Sequence, residues 1–247
     1  MKRAFMLLAL SFLLYGCATG TARREQSITH YRLGVSYLNE GDSTSALKEL
    51  MEAEKLNKMD PQIVSALGLA YYKKGEIDLA IKKLKVALDL DPKLAEARNN
   101  LGTFYLEKKM WDSAIEEFTI AASALLYTTP EYAYTNMGWA YLQKGDPVQA
   151  IQSYKKAIEK NPRYPKSHHD LGFVYFSIGK ISDAVIEYKT AIKLFPNYLN
   201  AHYDLGLAYI KLDKKSEAME AFKEAVRLAP DSETGRNAQS YIDLLVK

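Results

Sequence analysis

The fold of this chain is decided by a pattern that is clearest in residues 165–184, which read PKSHHDLGFVYFSIGKISDA. Gly172 is followed by Tyr175 three residues later and by Ala184 twelve residues later. The same skeleton occurs six times, with its glycines at Gly34, Gly68, Gly102, Gly138, Gly172 and Gly206. The intervals between these glycines are 34, 34, 36, 34 and 34 residues, so most of the chain is one repeat array.

The period and the skeleton resemble those of the tetratricopeptide repeat, a helix–turn–helix unit that stacks into a solenoid. The second helix of each unit carries the Ala, a bulky apolar residue four positions later and another Ala three positions after that. This spacing is typical of the buried face of an amphipathic helix. A glycine inside a helix costs about 1 kcal/mol relative to Ala, so its recurrence at one position predicts that two helices approach closely there. We therefore predict an all-α fold, a tetratricopeptide-repeat (TPR) superhelical solenoid of six repeats plus a C-terminal capping helix.

Glycine and proline predict the boundaries of the helices. Glycines 41, 75, 145 and 179 lie between the two helices of a repeat, where a positive φ is often needed, whereas Lys109 and Asp213 stand at the equivalent positions of the third and sixth repeats. The predicted organisation is a leader over 1–16, a tether over 17–26, repeats one to three over 27–128, a joint at 129–130, repeats four to six over 131–232 and the capping helix over 233–247.

The N-terminal segment predicts export. Lys2 and Arg3 precede an apolar stretch, residues 4–15, that only Ser11 interrupts. At 12 residues this stretch is too short for a permanent transmembrane helix, and it is typical of a secretory signal peptide. Cys17, the only cysteine of the chain, follows closely, and the arrangement resembles the lipobox of bacterial lipoproteins.

The lipobox resemblance implies that Cys17 is lipidated with acyl chains such as palmitate and anchors the protein in a membrane. Each buried CH₂ group of an acyl chain contributes about 0.8 kcal/mol to such an anchor. Ala18, in place of Asp, follows the cysteine, which by the sorting rule of enteric bacteria implies the outer membrane, with the protein facing the periplasm. The alternative interpretation is a simple signal peptide with an incidental cysteine.

The charge balance argues against a nucleic-acid partner. Removal of residues 1–16 lowers the count of Lys and Arg from 33 to 31, against 30 Asp and Glu. Nucleic-acid surfaces need clustered basic residues, and a mature chain that is nearly neutral gives no sign of them.

The one irregular interval adds two residues between the third and fourth repeats, within residues 121–131. They form either a longer connection, with Pro130 starting the next helix, or a joint that changes the superhelical pitch and creates two three-repeat halves. The stretch Leu126-Tyr127-Thr128-Thr129-Pro130, followed by Asn136-Met137-Gly138, resembles the corresponding region of type IV pilus biogenesis lipoproteins of the PilF/PilW type, which act as pilotins for the outer-membrane secretin. The first repeat and the lipobox resemble that family too.

The concave side of such an array is expected to bind a protein partner. The side chains that the repeat positions assign to it are Tyr31, Val35, Leu38, Leu69, Tyr72, Tyr132, Trp139, Leu142, His169, Phe173, Phe176, Tyr203, Leu207 and Ile210. An exposed stripe of this composition indicates a contact site. The alternative is that some of them pack against neighbouring helices, notably Val35, Leu69, Phe173 and Leu207. The basic residues that clamp a chaperone's C-terminal carboxylate in other repeat proteins are missing.

The sequence gives no support for an enzyme. Of the four histidines, His30, His168 and His202 occupy the fourth position of their repeats, which predicts that they pack between helices. No carboxylate or cysteine completes a metal-ligand set, and no phosphate-binding glycine-rich loop or nucleophile elbow is present. We expect no catalytic residue, cofactor, metal or small-molecule substrate.

Taken with the family resemblance, these features predict an outer-membrane lipoprotein that acts as a protein-binding scaffold. The resemblance implies that its partner is the secretin of the type IV pilus, which it helps to localise and oligomerise. The alternative is a general TPR adaptor lipoprotein of another envelope assembly or of a polysaccharide export machine.

Overall fold

The structure is a computed structural model that describes the backbone of residues 2–246 and the side chains of residues 21–246. All regular secondary structure in this part of the chain is helical. Within that range there are thirteen α-helices and no strand. The helices are α1 Lys2–Glu40, α2 Ser43–Leu56, α3 Pro61–Lys73, α4 Ile77–Leu90, α5 Ala95–Glu107, α6 Trp111–Ser123, α7 Pro130–Gln143, α8 Pro147–Lys160, α9 Pro165–Ser177, α10 Ile181–Leu194, α11 Leu199–Lys211, α12 Lys215–Leu228 and α13 Glu233–Val246. The predicted all-α repeat fold is confirmed.

The helices form two compact units, Met1–Phe104 and Tyr105–Lys247. The boundary between the units lies inside α5, and the predicted joint at 129–130 lies inside the second unit. In each unit, the first helix of a repeat packs on the second helix of the same repeat, as α1 does on α2 and α9 on α10.

This packing depends on the repeated glycine of the first helix. A Cβ atom placed on Gly206 would lie 2.6 Å from Cε1 of Phe222. On Gly172 it would lie 2.8 Å from Cδ1 of Tyr188. Both rings are fully buried, so the glycine leaves the space that the bulky residue of the second helix fills.

The turns inside the repeats share one backbone conformation. The four glycines of these turns have φ between 79° and 85°. Lys109 and Asp213, the residues that replace glycine, have φ of 57° and 55°. A positive φ is therefore a requirement of the turn itself, and a non-glycine residue there accepts local strain.

Aspartates fix the start of several helices. The Asp42 carboxylate accepts hydrogen bonds from the backbone N–H of Thr44 and Ser45, at 3.1 and 3.0 Å. Asp60 caps α3 in the same way, and the next residue is the proline that begins the helix. Such caps contribute about 1 kcal/mol each.

The two extra residues of the irregular interval lie in a connection over residues 124–129, and α7 begins at Pro130. The backbone N–H of Tyr127 donates to the carbonyl of Ala124 at 3.1 Å, which closes a turn. Leu125 and Leu126 are the central residues of that turn and are 97% and 89% exposed, whereas Tyr127 is buried.

The predicted leader and the lipidation of Cys17 fall on residues whose side chains lie outside the described part of the chain, and both stay predictions. Residues 21–26 of the predicted tether are helical and continuous with the first repeat in α1, so the helix begins before the predicted start of that repeat at residue 27. Arg23 Nη2 donates to the carbonyl of Lys55 at 3.0 Å, and the Ser27 hydroxyl donates to that of Ala53 at 3.0 Å. These bonds attach this end of α1 to the end of α2.

The last helix covers the apolar face of the sixth repeat. The Tyr241 ring stacks on the buried ring of Phe222, with centroids 5.0 Å apart and planes at 8°. Ala238 is fully buried in the same cluster. The C-terminal helix is therefore a cap, as the sequence predicted.

In the described residues, none of the helices combines the length and the apolar character that a membrane crossing requires.

The glycine contact can be tested with two Gly→Ala substitutions. In Gly206→Ala, overpacking against Phe222 costs about 1–3 kcal/mol and exceeds the gain in helix propensity of about 1 kcal/mol. In Gly68→Ala, the new Cβ would lie 3.2 Å from both Ala80 O and Leu84 Cγ. This overlap is milder, so the two effects should nearly cancel. We expect urea unfolding to show a loss of stability for Gly206→Ala alone. Equal stability of both variants would contradict this interpretation of the repeat glycine.

Candidate functional site

The main candidate site is a cavity of about 440 Å³ in the second unit. It is lined mainly by α7, α9 and α11, the first helices of the fourth, fifth and sixth repeats, and Tyr154 of α8 contributes to it. These first helices carry the residues predicted for the concave side, which we call the groove. The lining residues are Asn136, Trp139, Tyr154, Lys166, His169, Asp170, Phe173, Asn200, Tyr203 and Asp204. The cavity therefore combines aromatic rings with both signs of charge.

A charged network centred on His169 joins two repeats in this cavity. His169 Nδ1 lies 3.0 Å from Asp170 Oδ1, and His169 Nε2 lies 2.9 Å from Asp204 Oδ2. Asp170 belongs to α9 and Asp204 to α11, so the imidazole connects the fifth repeat to the sixth. Lys166 forms an ion pair with the other oxygen of Asp170.

This network keeps His169 protonated at neutral pH. Burial by itself would lower the pKa of His169, but the hydrogen bonds to Asp170 and Asp204 outweigh burial and raise the pKa to about 9. As an imidazolium, the ring donates from both nitrogen atoms, one N–H to each carboxylate.

Aromatic side chains form the rim of the cavity. Trp139 is 41% exposed and Phe173 is 40% exposed, although both are large apolar residues. Tyr203 is half-buried and packs on Phe222 at a ring distance of 5.8 Å. Exposed aromatic groups in a concave surface indicate a contact site.

Tyr154 of α8 also lines the cavity. Its side chain is fully buried, and its hydroxyl has no hydrogen-bond partner among the described residues. Burial raises the pKa of Tyr154 above the usual value, and the negative charge of Asp170 adds to this effect. The hydroxyl is therefore neutral and keeps its donor and both acceptor sites.

The first unit has a smaller cavity of about 200 Å³ between α1, α3 and α5. Its lining carries no charged side chain and mixes apolar with amide and hydroxyl groups. It comprises Tyr31, Val35, Leu38, Asn39, Gln62, Ser65, Ala66, Leu69 and Asn100.

The structure brings together some of the predicted groove residues and separates others. Tyr31, Val35, Leu38 and Leu69 line the cavity of the first unit, and Trp139, His169, Phe173 and Tyr203 line that of the second. The remaining predicted residues line neither cavity. Leu142, Phe176, Leu207 and Ile210 are partly buried against the core, Tyr72 stacks on Phe104 at 4.3 Å, and Tyr132 packs beside Tyr164 at 5.0 Å.

The sequence prediction missed the charged members of the site, Lys166, Asp170 and Asp204. Asp170 and Asp204 occupy the sixth position of their repeats and stand 34 residues apart, a signal that a search for polar residues in equivalent positions would have found. Only the pairing of both carboxylates with His169 shows that they act together.

The other histidines link the two helices of a repeat, or link a helix to the connection that precedes it. His30 Nδ1 lies 2.6 Å from Glu49 Oε2, and His168 Nδ1 lies 2.7 Å from Glu187 Oε2. His202 Nε2 donates to the carbonyl of Pro196 at 2.8 Å. Among residues with described side chains, no three of His, Cys, Asp or Glu are placed to hold a metal ion.

Comparison with known families identifies the repeat. The model described as "TPR repeat" matches residues 68–109, 138–179 and 174–213. Two models described as "Tetratricopeptide repeat" match residues 28–58 and 199–232. Together the matched residues are more than half of the chain. None of the curated protein sequences matches it.

Several solved structures share the fold. PilF of Pseudomonas aeruginosa is similar with a TM-score of 0.78 and 21% identity, over 89% of this chain and 99% of that chain. PilW, described as a widely conserved type IV pilus biogenesis factor, is similar with a TM-score of 0.79 and 20% identity, over 86% and 98%. MamA reaches 31% identity with a TM-score of 0.58, over 66% and 94%.

The His169 network predicts a pH dependence of stability. The folded-state pKa of His169, about 9, exceeds the unfolded value near 6.5. The contribution of the network to the free energy of unfolding is therefore complete below about pH 6.5 and is lost as the pH rises through 9. The contribution is on the order of 3 kcal/mol or less. The stability difference between the unmodified chain and His169→Gln, measured by urea unfolding, should therefore shrink from pH 6 to pH 10.

His202→Gln is the matched control, because His202 bonds to a carbonyl and the substitution removes no carboxylate pair. If the difference in unfolding free energy between His169→Gln and the unmodified chain stays constant from pH 6 to pH 10, the network is not a charged one.

Proposed function

The chain belongs to the tetratricopeptide-repeat family, and we propose that it is an outer-membrane-anchored lipoprotein scaffold of type IV pilus assembly. Its partner is the secretin of the pilus, which it binds in the periplasm and helps to localise and oligomerise. Fold similarity over nearly the full length of PilF and PilW supports this assignment, and so do the lipobox and the joint sequence. MamA shares the fold as well, and a fold by itself does not specify the partner.

The observation that carries the proposal is the exposed aromatic rim of the second unit's cavity. Trp139 and Phe173 hold large apolar surfaces in water, and covering such a surface contributes about 25 cal/mol per Å². A partner segment that lies along α7, α9 and α11 would cover both rings. Capture of an apolar secretin segment in this way shields it from aggregation until the secretin reaches the membrane.

The lipid anchor determines where the captured segment is delivered. Acylation of Cys17 holds the scaffold at the outer membrane, so a bound secretin subunit is delivered to the bilayer in which it must assemble. Two or more acyl chains provide a stable anchor, whereas one chain binds only reversibly.

Substitution of the rim should remove binding without unfolding the repeats. In Trp139→Glu, a charge replaces a side chain that is 41% exposed, so the fold should persist and the melting curve by circular dichroism should shift little. Co-purification of the secretin should be lost. The control is Val148→Glu, because Val148 is 62% exposed on α8 and lines neither cavity. Retained secretin binding by folded Trp139→Glu would refute the role of the rim.

The cellular role predicts a defect in secretin assembly. In a strain that lacks the protein, heat- and detergent-resistant secretin multimers should disappear from the membrane fraction while secretin monomer persists, as an immunoblot would show. Multimers that remain intact would instead identify an adaptor of another envelope assembly or of a polysaccharide export machine.

The anchor is tested by Cys17→Ser. This variant should not incorporate labelled palmitate and should leave the outer-membrane fraction. Ser177→Ala serves as a control that keeps Cys17, and a Cys17→Ser variant that stays in the outer-membrane fraction would contradict the anchor.

A further inference from the structure

The carboxylates in the cavity of the second unit have unused hydrogen-bond acceptor sites. His169 uses both of its N–H groups, one on Asp170 and one on Asp204. Each carboxylate offers about four acceptor sites. In the described structure Asp204 accepts only the bond from His169, and its Oδ1 atom accepts none. A ligand that brings N–H donors therefore suits this cavity better than one that brings a carboxylate.

The buried hydroxyl of Tyr154 points to a ligand independently of the carboxylates. It lines the same cavity, it is fully buried, and among the residues with described side chains it has no hydrogen-bond partner. An unsatisfied buried polar group costs about 1–3 kcal/mol. A donor that enters the cavity would satisfy its oxygen.

The aromatic rim favours a cation among the possible donors. Trp139, Phe173 and Tyr203 surround the same space, and the faces of such rings attract guanidinium and ammonium groups. Lys166 is a cation that already pairs with Asp170, but its side chain is 47% exposed. Lys166 can therefore turn to solvent when another cation approaches Asp170.

We propose that this cavity is a subsite for a basic side chain, arginine in preference to lysine, of the segment that the groove binds. The guanidinium would donate to Asp204 and Asp170 and stack on the aromatic rim, since its planar fork suits both carboxylates and ring faces better than a compact ammonium group does. This inference rests on the proposed function, because it assumes that the groove holds a protein segment. It adds that the segment carries an arginine among its apolar residues.

The test compares two small probes, N-acetyl-arginine methylamide and the same compound with citrulline, which has nearly the same shape and no charge. The chain has two tryptophans, so Trp111→Phe in the full chain leaves Trp139 as the only reporter. Its fluorescence should change and saturate at about millimolar arginine probe. The citrulline probe should bind at least about tenfold more weakly.

Variants locate the binding in the cavity. Asp204→Asn should weaken the arginine probe by about tenfold, and Tyr154→Phe by a smaller factor. Asp183→Asn is the matched control, because Asp183 is exposed on α10 and does not line the cavity, and it should leave the affinity unchanged. The comparison of arginine with citrulline does not depend on the folding of any of these variants.

Equal affinity for the two probes, no saturable response to either, or full affinity of folded Asp204→Asn would overturn the inference. The proposed function has a separate readout in the secretin multimers. If the multimers require this protein while arginine and citrulline bind equally, the arginine subsite is wrong and the scaffold function stands.

Discussion

The close approach of the two helices in each repeat is the constraint on which the rest of the structure depends. A fully buried bulky residue of the second helix, such as Tyr188 or Phe222, fills the space that the missing Cβ of a glycine leaves open. Glycine lowers the stability of an isolated helix by about 1 kcal/mol, and the packing of the buried ring offsets this. The contact also sets the rotation of the first helix, and with it the residues that face the groove.

In the second unit, one group serves both the fold and the candidate site. His169 bridges carboxylates of the fifth and sixth repeats, and it also lines the cavity between them. Burial of an ion requires that its partners be well placed, and two carboxylates within 3.0 Å meet that requirement. The network therefore presents Asp204 in a fixed position, which a binding site needs in order to discriminate between ligands.

The two cavities described above lie in different units and differ in chemistry. The cavity of the first unit is small and lined by aliphatic, amide and hydroxyl groups. That of the second is larger and combines exposed rings with charges. Since affinity concentrates in buried aromatic and charged anchors, the second cavity is the better candidate for the main contact with a partner. The division of the chain lies inside α5, although the sequence drew attention to the irregular interval that follows α6.

The sequence by itself determined the helical repeat, the turns between its helices and the cap, because these follow from patterns within 34 residues. Proline at position 61 or 165 begins a helix, and the turns keep a positive φ even with Lys109 in place of glycine. Tertiary structure alone decided the candidate site. Asp204 reaches His169, which already contacts Asp170 on its own helix, only when two repeats stack. Packing on neighbouring helices also leaves Leu207 partly buried. A local period specifies which way a side chain points, but its burial and its charged partners depend on what the next repeat brings beside it.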